Sequence, residues 1–150
     1  MITKTLITCC LIFISTLTFG QNKDELLYQA VSKKDTAKVK FLLIQGANAN
    51  FKKKTGDFET SLLILAVQGK NYTISKLLID HKVDVNFKDW FKTTALMYAA
   101  SFGDKPIVEL LIANGADVNA KDEQGNSVLS AAKESKNEEV IKLIEGLVKQ

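Results

Sequence analysis

The chain has 150 residues, with 17 acidic side chains and 20 basic ones, every one of them lysine. A net charge of +3 over that length is too weak to draw nucleic acid. Without arginine the chain also lacks the planar forked donor that reads guanine edges or clamps phosphates.

Residues 1–20 stand apart from the rest. Lys4 is the only charge before Lys23, and Leu6 to Phe19 is mostly Leu, Ile, Phe and Cys, with small or neutral residues at Thr18 and Gly20. A positive start followed by a short apolar run predicts a secretory signal peptide cleaved after Gly20. The rival is an uncleaved anchor, because residues 5–22 are uncharged and sit at the lower edge of a spanning length. Cys9 and Cys10 lie inside this segment, so cleavage would leave a chain without thiols, stabilised by packing alone. Lipid attachment to either cysteine does not fit, since the apolar run continues through Leu11-Ile12-Phe13-Ile14. Cleavage leaves 19 lysines against 17 acids, a net charge of +2. A leader without eukaryotic processing motifs points to a Gram-negative bacterium and to a periplasmic or secreted product.

Beyond residue 20 the chain is periodic. Leu27, Leu63, Leu96 and Leu129 are separated by 36, 33 and 33 residues, and Ala30, Ala66, Ala99 and Ala132 share those spacings. Asp35, Asn71, Asp104 and Asn137 keep the same rhythm, and Asn50, Asn86 and Asn119 repeat at 36 and 33. Four columns with one period define a tandem repeat, with units at about 22–52, 53–88, 89–121 and 122–150 in a single domain, 21–150.

In the first unit Leu26, Leu27, Ala30 and Val31 form one predicted helical face, and Val39, Phe41, Leu42 and Leu43 the next. Lys33, Lys34, Lys38 and Lys40 at its polar positions suit an end cap. Asp35 is placed to cap the second helix, and Gly46 to turn the chain after it with positive φ. The second unit opens with three extra residues between Phe51 and Ser61, where Gly56-Asp57 is the expected turn and Lys52-Lys53-Lys54 an expected solvated run. Its inner helix, Leu62 to Val67, is apolar all round and so belongs in the middle of the stack. Lys82 stands where the first and third units have glycine, which predicts strain at that turn. Pro106, the only proline, falls in a helical first turn. The fourth unit, rich in Lys and Glu with Glu138 and Glu139 at a helix start, reads as the second cap.

Thr94-Ala95-Leu96-Met97 and Gly115-Ala116-Asp117-Val118-Asn119 carry a family pattern. The chain resembles the ankyrin repeats, whose usual Thr-Pro-Leu-His stands here as Thr-Ala-Leu-Met. The resemblance implies an all-α solenoid of four helix–turn–helix units joined by short β-hairpin fingers. It also implies a monomeric, non-catalytic module that binds a protein.

No catalytic set opposes this. His81 is the only histidine and lies in a turn, no Cys/His metal pattern exists, and the glycines are spread along the units instead of forming a phosphate loop. We expect no cofactor, no metal and, after leader cleavage, no membrane. The candidate partner-binding residues are Trp90, Phe91 and Phe102, flanked by Lys88 and Lys92. The resemblance puts the first two at a finger tip and Phe102 on the adjacent concave face, where the three rings could form one patch. Large aromatics without a core duty mark binding hot spots. The competing reading folds Trp90 and Phe91 over the next finger as a shield. Phe51 and Phe87, which directly follow the repeated asparagine, read as packing residues. The expected function is an exported module that binds a protein on its finger and concave surface. The alternatives are a membrane-anchored scaffold and an immunity-type inhibitor of an enzyme.

Overall fold

A computed structural model describes residues 22–148; the leader, its cleavage point and both cysteines lie outside that range. Helix α1 is described over 22–32 and is followed by α2 (Thr36–Ile44). A two-stranded hairpin, β1 (Lys52–Thr55) and β2 (Phe58–Ser61), leads into α3 (Leu62–Gln68) and α4 (Tyr72–Asp80). Helices α5 (Ala95–Ser101), α6 (Lys105–Ala113), α7 (Val128–Ser135) and α8 (Glu138–Val148) complete the described chain. The inner helices α3, α5 and α7 stack in one row, and the outer helices α2, α4, α6 and α8 in a second. This is the expected helix–turn–helix solenoid with short fingers.

Local chemistry starts each helix. Ser61, Thr94 and Ser127 accept from the backbone N–H three residues on, capping the inner helices. Asp35, Asn71 and Asp104 do the same for the outer helices, and Asn137 accepts from Glu139 and Val140 N–H. Pro106 sits in the first turn of α6, as its missing N–H allows. Just ahead of these outer caps the backbone is left-handed at Lys34, Lys70, Gly103 and Lys136. Lys82 adopts φ +61°, as its alignment with Gly46 and Gly115 predicts. It is not the one strained turn, however: Lys34, Lys70, Lys92 and Lys136 share the conformation.

Units are tied by the repeated asparagines. Asn50 donates through Nδ2 to the Lys82 carbonyl at 3.1 Å and accepts from Asp84 N–H at 2.7 Å. Asn86 does the same one unit on, to the Gly115 carbonyl at 2.9 Å and from Asp117 N–H at 2.8 Å. No asparagine precedes the first unit, and two residues share the task there. Lys23 Nζ donates to the Gln45 carbonyl and Asp24 accepts from Asn48 N–H.

Among the described residues the core runs from Leu27 to Ile144. Burial along each column shows which way a position looks. Ile74, Ile107 and Val140 are fully buried whereas their counterpart Lys38 is exposed, so that column faces the preceding unit. Val31, Val67 and Ala100 are buried whereas Lys133 is exposed, so that column faces the following one. Lysine thus replaces an apolar residue where no unit of the described residues stacks against that side, which is the pattern of a cap. Phe41 departs from the sequence expectation. Its counterparts Leu77, Leu110 and Leu143 are half-buried, each with a unit before its own, but among the described residues none precedes Phe41, which is 60% exposed.

Candidate partner-binding surface

The fingers differ in build. Lys88↔Thr94 and Lys121↔Ser127 are single antiparallel bridges, whereas three added residues extend the corresponding pair Lys52↔Ser61 into a four-residue ladder. Gly56 at φ +62° starts the two-residue turn, with Asp57 beside it at negative φ, a pairing that suits a twisted hairpin. In the third finger Asp89 does the closing. Its Oδ1 accepts from Phe91 and Thr93 N–H, and Oδ2 accepts the Tyr98 hydroxyl at 2.8 Å. Asp122 repeats the motif in the fourth finger through Gln124 and Asn126, and these bonds hold its carboxyl below its ordinary pKa. Burial, followed by the bond to Asp89, pushes the Tyr98 phenol up to about 12.

This closure leaves Trp90 and Phe91 outward, 51% and 47% exposed. They face backward along the stack. The ring of Phe58, on the longer second finger, lies 5.7 Å from that of Trp90 and 6.2 Å from that of Phe91. Phe58 is itself 57% exposed, so three adjoining rings form an apolar patch. Beneath it a cleft of about 230 Å³ is lined by Tyr28, Gln68, Asp89 and Tyr98 together with these rings. The rings pack against the preceding finger; the following one is met by the Phe91 carbonyl, which accepts from Glu123 N–H at 3.0 Å, and by Lys88 Nζ, which donates to the Lys121 carbonyl at 3.3 Å.

Phe102 takes no part in that cluster. Its ring lies 6.4 Å from that of Tyr98, and Lys70 Nζ sits 5.3 Å above it. Tyr98 therefore links the expected third ring to the cleft, and Phe58 takes its place beside Trp90. Phe58 was hidden in the sequence because only the lengthened hairpin carries it to the third finger.

Lys88 and Lys92 border Trp90 together with Lys54, Asp57 and Glu59, so the expected flanking charge is present but mixed in sign. The lysine run is only partly solvated. Lys52 lies over the Phe87 ring at 4.5 Å, and Lys53 pairs with Glu25 at 2.7 Å and lies over Tyr28 at 5.2 Å. Phe51 and Phe87 are half-buried against the core, the packing role read from their spacing. His81 caps α4, Nδ1–H donating to the Leu77 carbonyl at 2.8 Å just as Asn114 Nδ2 donates to Leu110 in α6.

A family model described as ankyrin repeats (3 copies) matches residues 27–122, and the chain belongs to that family. The match ends before α7 and α8, which nonetheless repeat the same caps and left-handed turn. Ankyrin repeats are generally protein–protein interaction modules, typically without catalysis. Comparison with the curated proteins finds no match. No helix among the described residues is long and apolar enough to cross a membrane.

Proposed function

We propose that the protein is exported through its N-terminal leader and holds a protein partner on its finger and concave surface, without a reaction of its own. The observation that carries this is the Phe58–Trp90–Phe91 cluster. These rings have no core duty, yet they are held in fixed relation by a hairpin turn and by the Asp89 closure. Preorganised aromatics of this kind bind without a large ordering cost. The cleft beneath the rings, with Tyr98 and Asp89 at its floor, would take an apolar side chain of the partner. Lys54, Lys88 and Lys92 form the rim together with Asp57 and Glu59.

Affinity capture from the exported fraction of the source cell, with the wild-type and Trp90→Ala chains side by side, tests the surface. Aromatic anchors cut to alanine cost about 2 kcal/mol or more, so Trp90→Ala should weaken partner binding about 30-fold. Folding stability should stay within about 0.5 kcal/mol, as for a surface substitution. If Trp90→Ala unfolds the chain while the folded fraction binds normally, the rings are packing residues and the surface lies elsewhere. Mass spectrometry of the exported protein should find Gln21 at its N-terminus. Intact Met1 on a membrane-bound form would favour the anchored scaffold instead.

A further inference from the structure

The first unit carries a second apolar surface, remote in sequence from the fingers. On α2, Ala37, Phe41 and Ile44 follow at i, i+4 and i+7, on the side opposite the buried Val39, Leu42 and Leu43. All three are exposed, Phe41 by 60% and Ile44 by 66%, the highest exposures of any large apolar side chains described. The helix is therefore apolar on two opposite faces. The other outer helices do not do this: at the Ile44 position they carry Asp80, Ala113 and Gly146.

The charges on α2 itself have one sign. Lys38 and Lys40 flank the stripe on either side, Lys33 and Lys34 lie exposed in the turn before it, and α2 contains no acid. Asp35, the nearest acid in sequence, is occupied as the helix cap on Lys38 N–H. Position adds a further constraint. Asp24 bonds Asn48 N–H and Lys23 bonds the Gln45 carbonyl, so α1 enters the stack beside the Ile44 end of α2. The uncharged run at 5–22 leads straight into α1 at this point. The exposed stripe thus lies at the end of the stack where the described chain begins.

We infer that this face of α2 seats on an anionic lipid surface, Phe41 and Ile44 entering the interface while Lys38 and Lys40 meet the headgroups. Apolar residues between flanking lysines are the interfacial pattern. A second copy docked through the same face would set lysines against lysines, because a two-fold contact pairs a patch with itself. This adds a peripheral contact to a chain that would otherwise leave the membrane on cleavage, and it stands independently of the finger surface.

The test is sedimentation of residues 21–150 with vesicles of phosphatidylglycerol and phosphatidylcholine, against phosphatidylcholine alone. Binding should be weak, reversible, confined to the anionic vesicles and lost at high salt. Lys38→Gln with Lys40→Gln should lower it about 30-fold, on a contribution near one kcal/mol per lysine. Phe41→Ser with Ile44→Ser should lower it about tenfold or more, and Trp90→Ala should leave it unchanged. Should the serine pair fail to fold, the glutamine pair, at two exposed positions, decides. Equal binding to both vesicle types, or no loss in either double variant, would overturn the inference. So would the absence of vesicle binding together with self-association, or with capture of a protein, through Phe41 and Ile44.

Discussion

Asn86 offers the sharpest test of how the units are held together. Its side chain makes two bonds across a unit boundary, to the Gly115 carbonyl at 2.9 Å and from Asp117 N–H at 2.8 Å. Each net hydrogen bond is worth about 1 kcal/mol, and water partly replaces both at this exposed position. Asn86→Ala should therefore destabilise by roughly 1–2 kcal/mol, lowering the thermal midpoint by about 5 °C for a domain of this size. Asn119 provides an internal control. It belongs to the same column, but α8 runs on to Val148, and among the described residues its side chain makes no hydrogen bond. Asn119→Ala should stay within about 0.5 kcal/mol. Urea unfolding of both variants, followed by circular dichroism, measures the difference. Equal effects from the two substitutions would refute the argument and reduce the asparagine column to a local turn preference.

Lys82→Gly should stabilise by roughly 0.5–1 kcal/mol, because glycine removes the left-handed penalty while the Lys82 carbonyl still accepts from Asn50; a lower urea midpoint would contradict this. Gly103→Ala should act in the opposite direction, by about 1–3 kcal/mol in the same assay, since φ is +63° and a Cβ there would meet the Asn137 Cβ at 3.0 Å. Tyr98, with its folded pKa raised from 10.0 to about 12, contributes stability that is complete below pH 10 and is lost as pH rises toward 12. Stability measured against pH should fall less steeply over that window in Tyr98→Phe, and an unchanged slope would show that folding does not raise the pKa of the phenol.

The repeat was legible because it is written in columns. Leu27, Leu63, Leu96 and Leu129 face one shared core, and Asp35, Asn71, Asp104 and Asn137 cap four equivalent helices, so identical local demands left identical residues at fixed spacing. Lys82 could be assigned its left-handed turn from alignment alone, since backbone conformation is a local property that repeats with the unit. Trp90 and Phe91 stood out by the complementary route, as large rings where the fourth unit carries Glu123 and Gln124.

What the periodicity could not carry was any relation between units or any effect of an end. Phe58 reaches Trp90 only because three extra residues lengthen one finger, and ring distances across two fingers have no counterpart in linear spacing. Phe102 was misplaced because Tyr98 stands beside it, and side-chain direction on a helix fixes which ring meets which. Phe41 reads as a core residue by its column, yet it is exposed because burial depends on what the stack sets against it, and among the described residues no unit stands before the first repeat. The sequence alone determined the unit, its caps and its turns, all governed by contacts a few residues apart. Tertiary structure decided which apolar side chains face water, since that depends on what the stack sets against them.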